Sequence, residues 1–354
     1  MAIASLVFLT LALSGIVYQG IGMRRCARMC PPPATMIDVP RLHSGQLGGR
    51  RLHVVSDGDG VPSVVFEAGI AASSVSWSHV LPHIAHQARV LAYDRAGLAW
   101  SDPDPRPPTL DHILADLDFV IARSSLPRPI VFVGHSFGCF IICAWASRNP
   151  GAVAGLVLID PPAPTEWGEP TPARRRLLQR GIRLSYVGGA CARLGIVRAL
   201  LSLLSGGAPR VPGTLIKTLG PTAAGKLRHL VTQVRKLPPE MYPVVQAHWC
   251  NPKCFRALAG HLRVLGEAAA FMSALKALPN VPLAVISSGE LPPDQMEEQR
   301  RLATLSSSGR HIVATHSGHW IQFDEPDLVV SAIRDVLAGA SHPTGVSTTR
   351  PSNR

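Results

Sequence analysis

The chain has 354 residues, 46% of them hydrophobic and only 5% aromatic, enough for one large α/β domain with an insertion or for two domains. Its 35 Lys and Arg against 23 Asp and Glu give a formal charge of +12, but the basic clusters (Arg24, Arg25 and Arg28, then Arg174 to Arg176 with Arg180 and Arg183) come with no zinc-finger spacing, RNA-binding aromatic motif or basic-region heptad, so they read as solvated basic faces and not as a nucleic-acid surface. Seven cysteines without a repeating framework exclude a disulfide scaffold in a chain of this length, and Cys250, Cys254 and His248 lack the further ligands that zinc needs.

Residues 2–22 carry no charge and are just long enough to cross a bilayer as a helix. The first positive charges follow this segment instead of preceding it, the reverse of a secretory signal, so residues 1–23 are expected to be a transmembrane or signal-anchor segment. By the positive-inside rule the bulk of the chain would face the cytoplasm, with a translocated, periplasmic or secreted domain as the alternative. Residues 24–35, ending in "CPPPAT", read as a stiff linker.

From residue 36 the chain alternates strand and helix signals. "RRLHVVSD" (50–57) and "SVVFEAG" (63–69) are short β-branched runs expected to form an antiparallel edge pair. "ARVLAYD" (88–94), "PIVFVGH" (129–135), "AGLVLID" (154–160), "VPLAVISSG" (281–289) and "RHIVATHSG" (310–318) follow, most of them separated by amphipathic stretches. Near-continuous apolar strands alternating with helices predict a mostly parallel sheet covered on both faces. Between about 161 and 275 the alternation lapses into helix-like segments broken by Gly and Pro, the mark of an insertion over one end of the sheet. Residues 339–354 are polar and are expected to be a disordered tail.

One strand ends abruptly. "VFVGHSFG" runs from a buried strand into Gly134-His135-Ser136-Phe137-Gly138 and then into the helical "CFIICAWASRNP". This is the context of a nucleophile elbow, in which a tight strand-to-helix turn holds a serine clear of the sheet. A serine hydroxyl needs a base to take its proton. His319, in "HSGHWIQFDEP" after the last strand signal, is the first candidate, and His316 is the alternative. His135 is adjacent in sequence, but the turn points it away from the hydroxyl. A carboxylate must then orient the base. Asp160 ends the strand "GLVLID", while Glu290 and Asp294 follow "LAVISSG". Charge developing on a carbonyl oxygen needs two donors: the backbone N–H of Phe137 and that of Ile70, after Gly69.

"FEAG" with "SW" (66–77), "YDRAGLAWSDP" (93–103), "GHSFG" (134–138), "LVLIDPP" (156–162) and "SGHWIQFDEPDLV" (317–329) resemble, in the same order, the motifs of the α/β-hydrolase superfamily, and of its bacterial serine-hydrolase branch with an N-terminal hydrophobic segment. The resemblance runs from about 36 to 338. It implies an eight-stranded, mostly parallel sheet flanked by helices, with a helical cap at about 161–275 inserted after the sixth strand. It departs in two places. Ala68-Gly69 stands where the family often has His-Gly, and Pro292 stands where a Gly-x-x-Asp pattern would put the acid. The strand-end position of Asp160 is similar to the acid of pancreatic-type lipases. Haloalkane dehalogenases and epoxide hydrolases share the fold but are implied to carry aspartate at the elbow, where this chain has Ser136.

The expected activity is serine hydrolysis of a carboxylic ester or related acyl bond through Ser136, His319 and Asp160, without metal or organic cofactor. The expected partners are a small apolar acyl substrate and, through the N-terminal helix, a membrane. Amide or carbon–carbon cleavage, cofactor-free perhydrolysis, and a non-catalytic binding protein retaining the fold are the alternatives.

Overall fold

A computed structural model describes residues 2–40, 49–205 and 232–341. Eight strands form one sheet: β1 (Thr35–Val39), β2 (Arg50–Asp57), β3 (Ser63–Glu67), β4 (Val90–Tyr93), β5 (Ile130–His135), β6 (Val153–Ile159), β7 (Leu283–Ser288) and β8 (Gly309–Ala314), in the order β1-β2-β4-β3-β5-β6-β7-β8. From β4 to β8 all pairings are parallel. Every residue of β3, β4, β5, β6 and β7 is buried, as continuous apolar runs between two helical layers must be.

The antiparallel edge differs from the expectation in membership. β2 does not pair with β3. It runs antiparallel to β4 on one side and to β1 on the other, with Thr35 opposite Val54 and Val39 opposite Arg50. β1 lies at the boundary of the presumed linker and has no strand signal of its own, because a five-residue edge strand takes its conformation from its partner. The linker is also shorter than expected. Helix α1 (Ala2–Met29) continues through Arg24, Arg25 and Arg28, leaving only residues 30–34 before β1.

One face of the sheet carries α3 (Leu110–Arg123) and α4 (Phe137–Arg148), whose Leu117, Ile121, Phe140 and Trp145 join β5 and β6 in one apolar core. The opposite face is closed by α2 (Leu81–Ala85) and by α12 (Pro326–Ser341), through Ile84, Val329 and Ile333. α4 is buried almost all round. Cys139 and Cys143 lie one turn apart on it, and burial pushes both thiols up, Cys143 to about 12, so they behave as small core residues.

Between β6 and β7 the described residues form α5 (Pro164–Gly168), α6 (Pro172–Arg193), α7 (Ile196–Ser205), α8 (Tyr242–Trp249) and α9 (Pro252–Ala274). α9 ties this insertion to the body: Val264, Leu265 and Ala268 pack into the core shared with α4. α10 (Pro293–Ala303) and the short α11 (Ile321–Asp324) complete the molecule. Residues 206–231 and the tail beyond Ser341 lie outside the described residues, as does the side chain of Leu204.

The strand-to-helix turn depends on close approach. A Cβ added to Gly138 would collide with the carbonyl oxygens of Glu67 and Ala68 at the end of β3, and backbone oxygens cannot rotate away. Gly138→Ala is therefore expected to destabilise the fold by about 1–3 kcal/mol through overpacking, despite alanine's better helix propensity. A thermal melt showing no decrease in Tm would contradict this.

Candidate functional site

Ser136 sits at the carboxyl end of β5 with φ 53 and ψ −123, a left-handed backbone that a residue with a Cβ adopts only under constraint. Two hydrogen bonds impose it. Its N–H donates to the Ile159 carbonyl at 2.8 Å, and its own carbonyl accepts from Cys139 N at 2.9 Å. The helix α4 begins immediately afterwards, so the Phe137 N–H falls in the first turn, where backbone donors have no intrahelical acceptor. The residue is 9% exposed.

Asp160 occupies the same position on the neighbouring strand. It follows β6, has φ 45, and its N–H donates to the Ile286 carbonyl at 2.7 Å. His319 Nδ1 donates to Asp160 Oδ2 at 2.6 Å. The other carboxylate oxygen accepts from Gln299 Nε2 at 3.0 Å and from Ser288 N at 3.4 Å. Burial works to raise the Asp160 pKa. The hydrogen bond and charge of His319, with the bond from Gln299, overcome it and hold the carboxyl below its usual value. Asp160 is thus an anion, and its bond to Nδ1 leaves Nε2 of His319 as the ring's acceptor.

His319 is held from two sides. Its side chain is 47% exposed, yet its backbone carbonyl accepts a 2.9 Å bond from His135 Nε2. The His135 ring lies 4.8 Å from that of His319 and 5.1 Å from Trp320. Burial and the neighbouring imidazole lower the His135 pKa to about 3, so this histidine stays neutral and structural. It does more than pack: it ties the loop after β8 to the elbow.

The other candidates fall elsewhere. Glu290 is exposed. Its carboxylate approaches Gly318, where an added Cβ would meet Oε2 at 3.0 Å, but His319 is bonded to Asp160. Asp294 is exposed in the first turn of α10, a position where a carboxylate stabilises a helix dipole. His316 is exposed, and its backbone N–H donates to Glu325 Oε1 at 2.9 Å. Among the described residues no group of three or more His, Cys, Asp or Glu could hold a metal ion.

Ile70 follows Gly69 in the loop after β3, and this loop lies directly on the elbow. A Cβ at Gly69 would stand 3.0 Å from His135 Nδ1 and 3.3 Å from Ser136 Cβ. The loop is shaped by Arg95, a residue of the "YDRAG" segment to which sequence reasoning assigned no role. Its guanidinium pairs with Glu67, donates to the Ala68 carbonyl at 2.7 Å and to the Gly69 carbonyl, and lies 5.5 Å above the Phe137 ring. The peptide units before Ile70 are therefore turned with their carbonyls toward Arg95. Gln299 also escaped the sequence reading, since a glutamine on a predicted amphipathic helix gives no sign that its amide faces a strand end.

A cavity of about 270 Å³ opens beside Ile70, roofed by Val245 and Trp249 of α8 and bounded by Leu98, Trp320 and Phe323. Its lining is mostly apolar. Two buried side chains fix the far end of the Ile70 loop: His53 donates to Asp94 at 2.9 Å, and Asp94 accepts from Ser74 N at 2.8 Å.

The sheet order, the elbow and the loops at the carboxyl ends of β3, β5, β6 and β8 define a class, that of the α/β-hydrolase fold. The family model for the alpha/beta hydrolase fold matches residues 62–184, and the eight-stranded sheet has that fold. A thermophilic esterase from Thermogutta terrifontis superposes with a TM-score of 0.63 at 19% identity, covering 87% of this chain and all of that one. An uncharacterized Bacillus subtilis protein is 32% identical over 99 residues, 28% of this chain and 39% of its own length. A haloalkane dehalogenase from Sphingobium indicum is 30% identical over 139 residues, 38% of this chain and 47% of its own. The chain spans less than half the length of these curated relatives.

If Asp160 orients the base, Asp160→Asn should lower kcat by roughly 10³–10⁴-fold with little change in KM, because the lost interaction is felt as the imidazolium forms. Glu290→Gln and Asp294→Asn should leave kcat unchanged in the same assay. Equal losses in all three, or the reverse ranking, would remove Asp160 from this role.

Proposed function

We propose that the chain is a serine hydrolase that cleaves a carboxylic ester or related acyl bond. The observation that carries the reading is the 2.6 Å His319–Asp160 pair at the same sheet edge as the left-handed Ser136. Ser136 Oγ attacks the substrate carbonyl and its proton passes to His319 Nε2, the ring nitrogen that the bond at Nδ1 leaves as acceptor. Asp160 stabilises the imidazolium. The N–H groups of Phe137 and Ile70 receive the developing oxyanion. His319 then returns the proton to the leaving group, and water activated by the same imidazole releases the acyl chain.

The likeness to a dehalogenase does not extend to this chemistry. Displacing halide from carbon through an alkyl-enzyme ester needs a carboxylate nucleophile, and position 136 offers a hydroxyl. Its apolar lining makes the cavity beside Ile70 suited to an uncharged acyl or alkyl group. In this reading α5 to α9 act as a lid, and α1 holds the enzyme at a membrane: it is 28 residues long, apolar and almost wholly exposed.

A fluorophosphonate should label Ser136 alone, and Ser136→Ala should lose both labelling and ester turnover while keeping its melting temperature. Labelling that survives the substitution would overturn the nucleophile. On a series of p-nitrophenyl esters, kcat/KM should climb from acetate toward medium acyl chains, by roughly 1–3 kcal/mol per well-buried methylene at most. A flat profile, or a preference for charged acyl groups, would contradict the apolar cavity.

A further inference from the structure

Helix α1 does not stand away from the fold. Its carboxyl-terminal half is docked on the insertion. A Cβ at Gly15 would collide with the Leu194 carbonyl, and one at Gly195 would lie 2.8 Å from the Gly15 carbonyl, so the α6–α7 corner touches α1 backbone to backbone. One turn further on, Gln19 is buried. Its amide donates to the Cys250 carbonyl at 2.7 Å and accepts from Arg198 Nε of α7 at 2.9 Å, while Arg198 also reaches Cys26 Sγ at 3.2 Å. Beyond the helix end, the Cys30 carbonyl accepts from Trp100 Nε1 at 3.0 Å.

This docking fixes the depth of the corner. Gly15 lies roughly 13 Å along the helix axis from Arg24, the first charge after the apolar stretch, and half of a bilayer's hydrocarbon core is about 15 Å. If Arg24 and Arg25 lie at headgroup level, Leu194, Gly195 and Ile196 lie on the acyl side of them, with exposed Arg193 beside Leu194 extending its guanidinium back toward the headgroups. The surface around them is made for that setting. Outside α1 the exposed large apolar side chains among the described residues are Leu177, Leu184, Tyr186, Val187 and Ile196, with only Val61 and Val313 elsewhere. Leu177, Leu184 and Val187 share an outward face of α6 with exposed Arg180, with exposed Arg176 and Arg183 at its margin and no acidic residue anywhere on the helix. The opposite side of α6, at Ile182, Ser185 and Gly189, is buried against the rest of the insertion. An exposed face that mixes large apolar side chains with arginines is the pattern of a helix entering a membrane from its interface, with its cations at anionic headgroups.

We propose that the α6–α7 corner is seated in the membrane leaflet that holds the carboxyl-terminal half of α1, with Leu177, Leu184, Val187 and Ile196 against lipid, so that the insertion is itself a membrane-bound element. The proposal rests on the reading of α1 as a retained membrane helix. Loss of the segment by cleavage would strip the Cys250 carbonyl and Arg198 of their partners. Substrate for the Ser136 site would then be an acyl ester already dissolved in the bilayer.

The test uses the full chain reconstituted in vesicles of phosphatidylcholine and phosphatidylglycerol, with the photocrosslinker p-benzoylphenylalanine placed singly at Phe8, Leu184, Ile196 or Val313. All four positions are exposed, so folding should survive, and a thermal melt checks it. Lipid adducts are expected at Phe8, Leu184 and Ile196 and at background level at Val313. Adducts at Phe8 with background at Leu184 and Ile196 would overturn the proposal while leaving α1 as an anchor. Background at Phe8 as well would overturn both. Adducts at Leu184 or Ile196 that join two copies of the chain, in place of lipid, would make this face a dimer contact and would also overturn it.

Discussion

The site hangs on the end of one hydrogen-bond ladder. Parallel strands β5 and β6 pair without a break from Val131 onward and β6 with β7 throughout, and at the carboxyl ends of β5 and β6 the ladder continues for one bond: Ser136 N–H to the Ile159 carbonyl, and Asp160 N–H to the Ile286 carbonyl. Both donors are left-handed residues that bear a Cβ. Each such conformation costs on the order of 1–3 kcal/mol and persists only where its surroundings over-determine it. Here the surroundings are a sheet buried on both faces, so the energy that strains the two residues comes from the core, and their separation is one interstrand spacing.

Around this ladder, polar groups without access to water set the loops. Arg95 and Glu67 are both buried. Burial raises the Glu67 pKa while Arg95 opposes the rise. An ion pair of this kind contributes little net stability, since desolvation cancels most of the attraction, but it specifies geometry. The guanidinium reaches two successive carbonyls, so the Ile70 N–H, which shares a trans peptide unit with the Gly69 carbonyl, faces away from Arg95. Gln299 acts similarly at a distance. Ser287 Oγ donates to its carbonyl at 2.5 Å, and its amide reaches both Asp160 and the Pro161 carbonyl. A helix remote from the elbow therefore determines which way the carboxylate faces.

Much of this was legible in the sequence because it is local. The parallel strands announce themselves as apolar runs, and the serine between glycines at a strand end needs no partner to be noticed. What was not legible depends on pairing across the chain. β1 is a strand only because β2 lies beside it, and β2 meets β4, skipping β3. The three carboxylates were open alternatives for the same reason: Asp160, Glu290 and Asp294 all follow strands that end at one edge, and what separates them is the direction of a side chain. Arg95 stands in a segment that was quoted for its likeness to a family, yet its contacts lie at Glu67, Ala68 and Gly69, and nothing in its own neighbours announces them. The histidine beside the serine points away from the hydroxyl, as its place in the turn implies, but its hydrogen bond to the opposite loop has no local sign.

The burial of Gln19 has a consequence for how the molecule folds. A leash can be cut without loss, but α1 supplies an acceptor to Arg198, a donor to Cys250 and a flat backbone surface to the α6–α7 corner. Each buried polar group deprived of its partner costs about 1–3 kcal/mol. The first thirty residues are thus a folding partner of the helices that roof the cavity, in trans-element contact with a segment nearly two hundred residues later. The packed state of that roof therefore includes the amino-terminal helix.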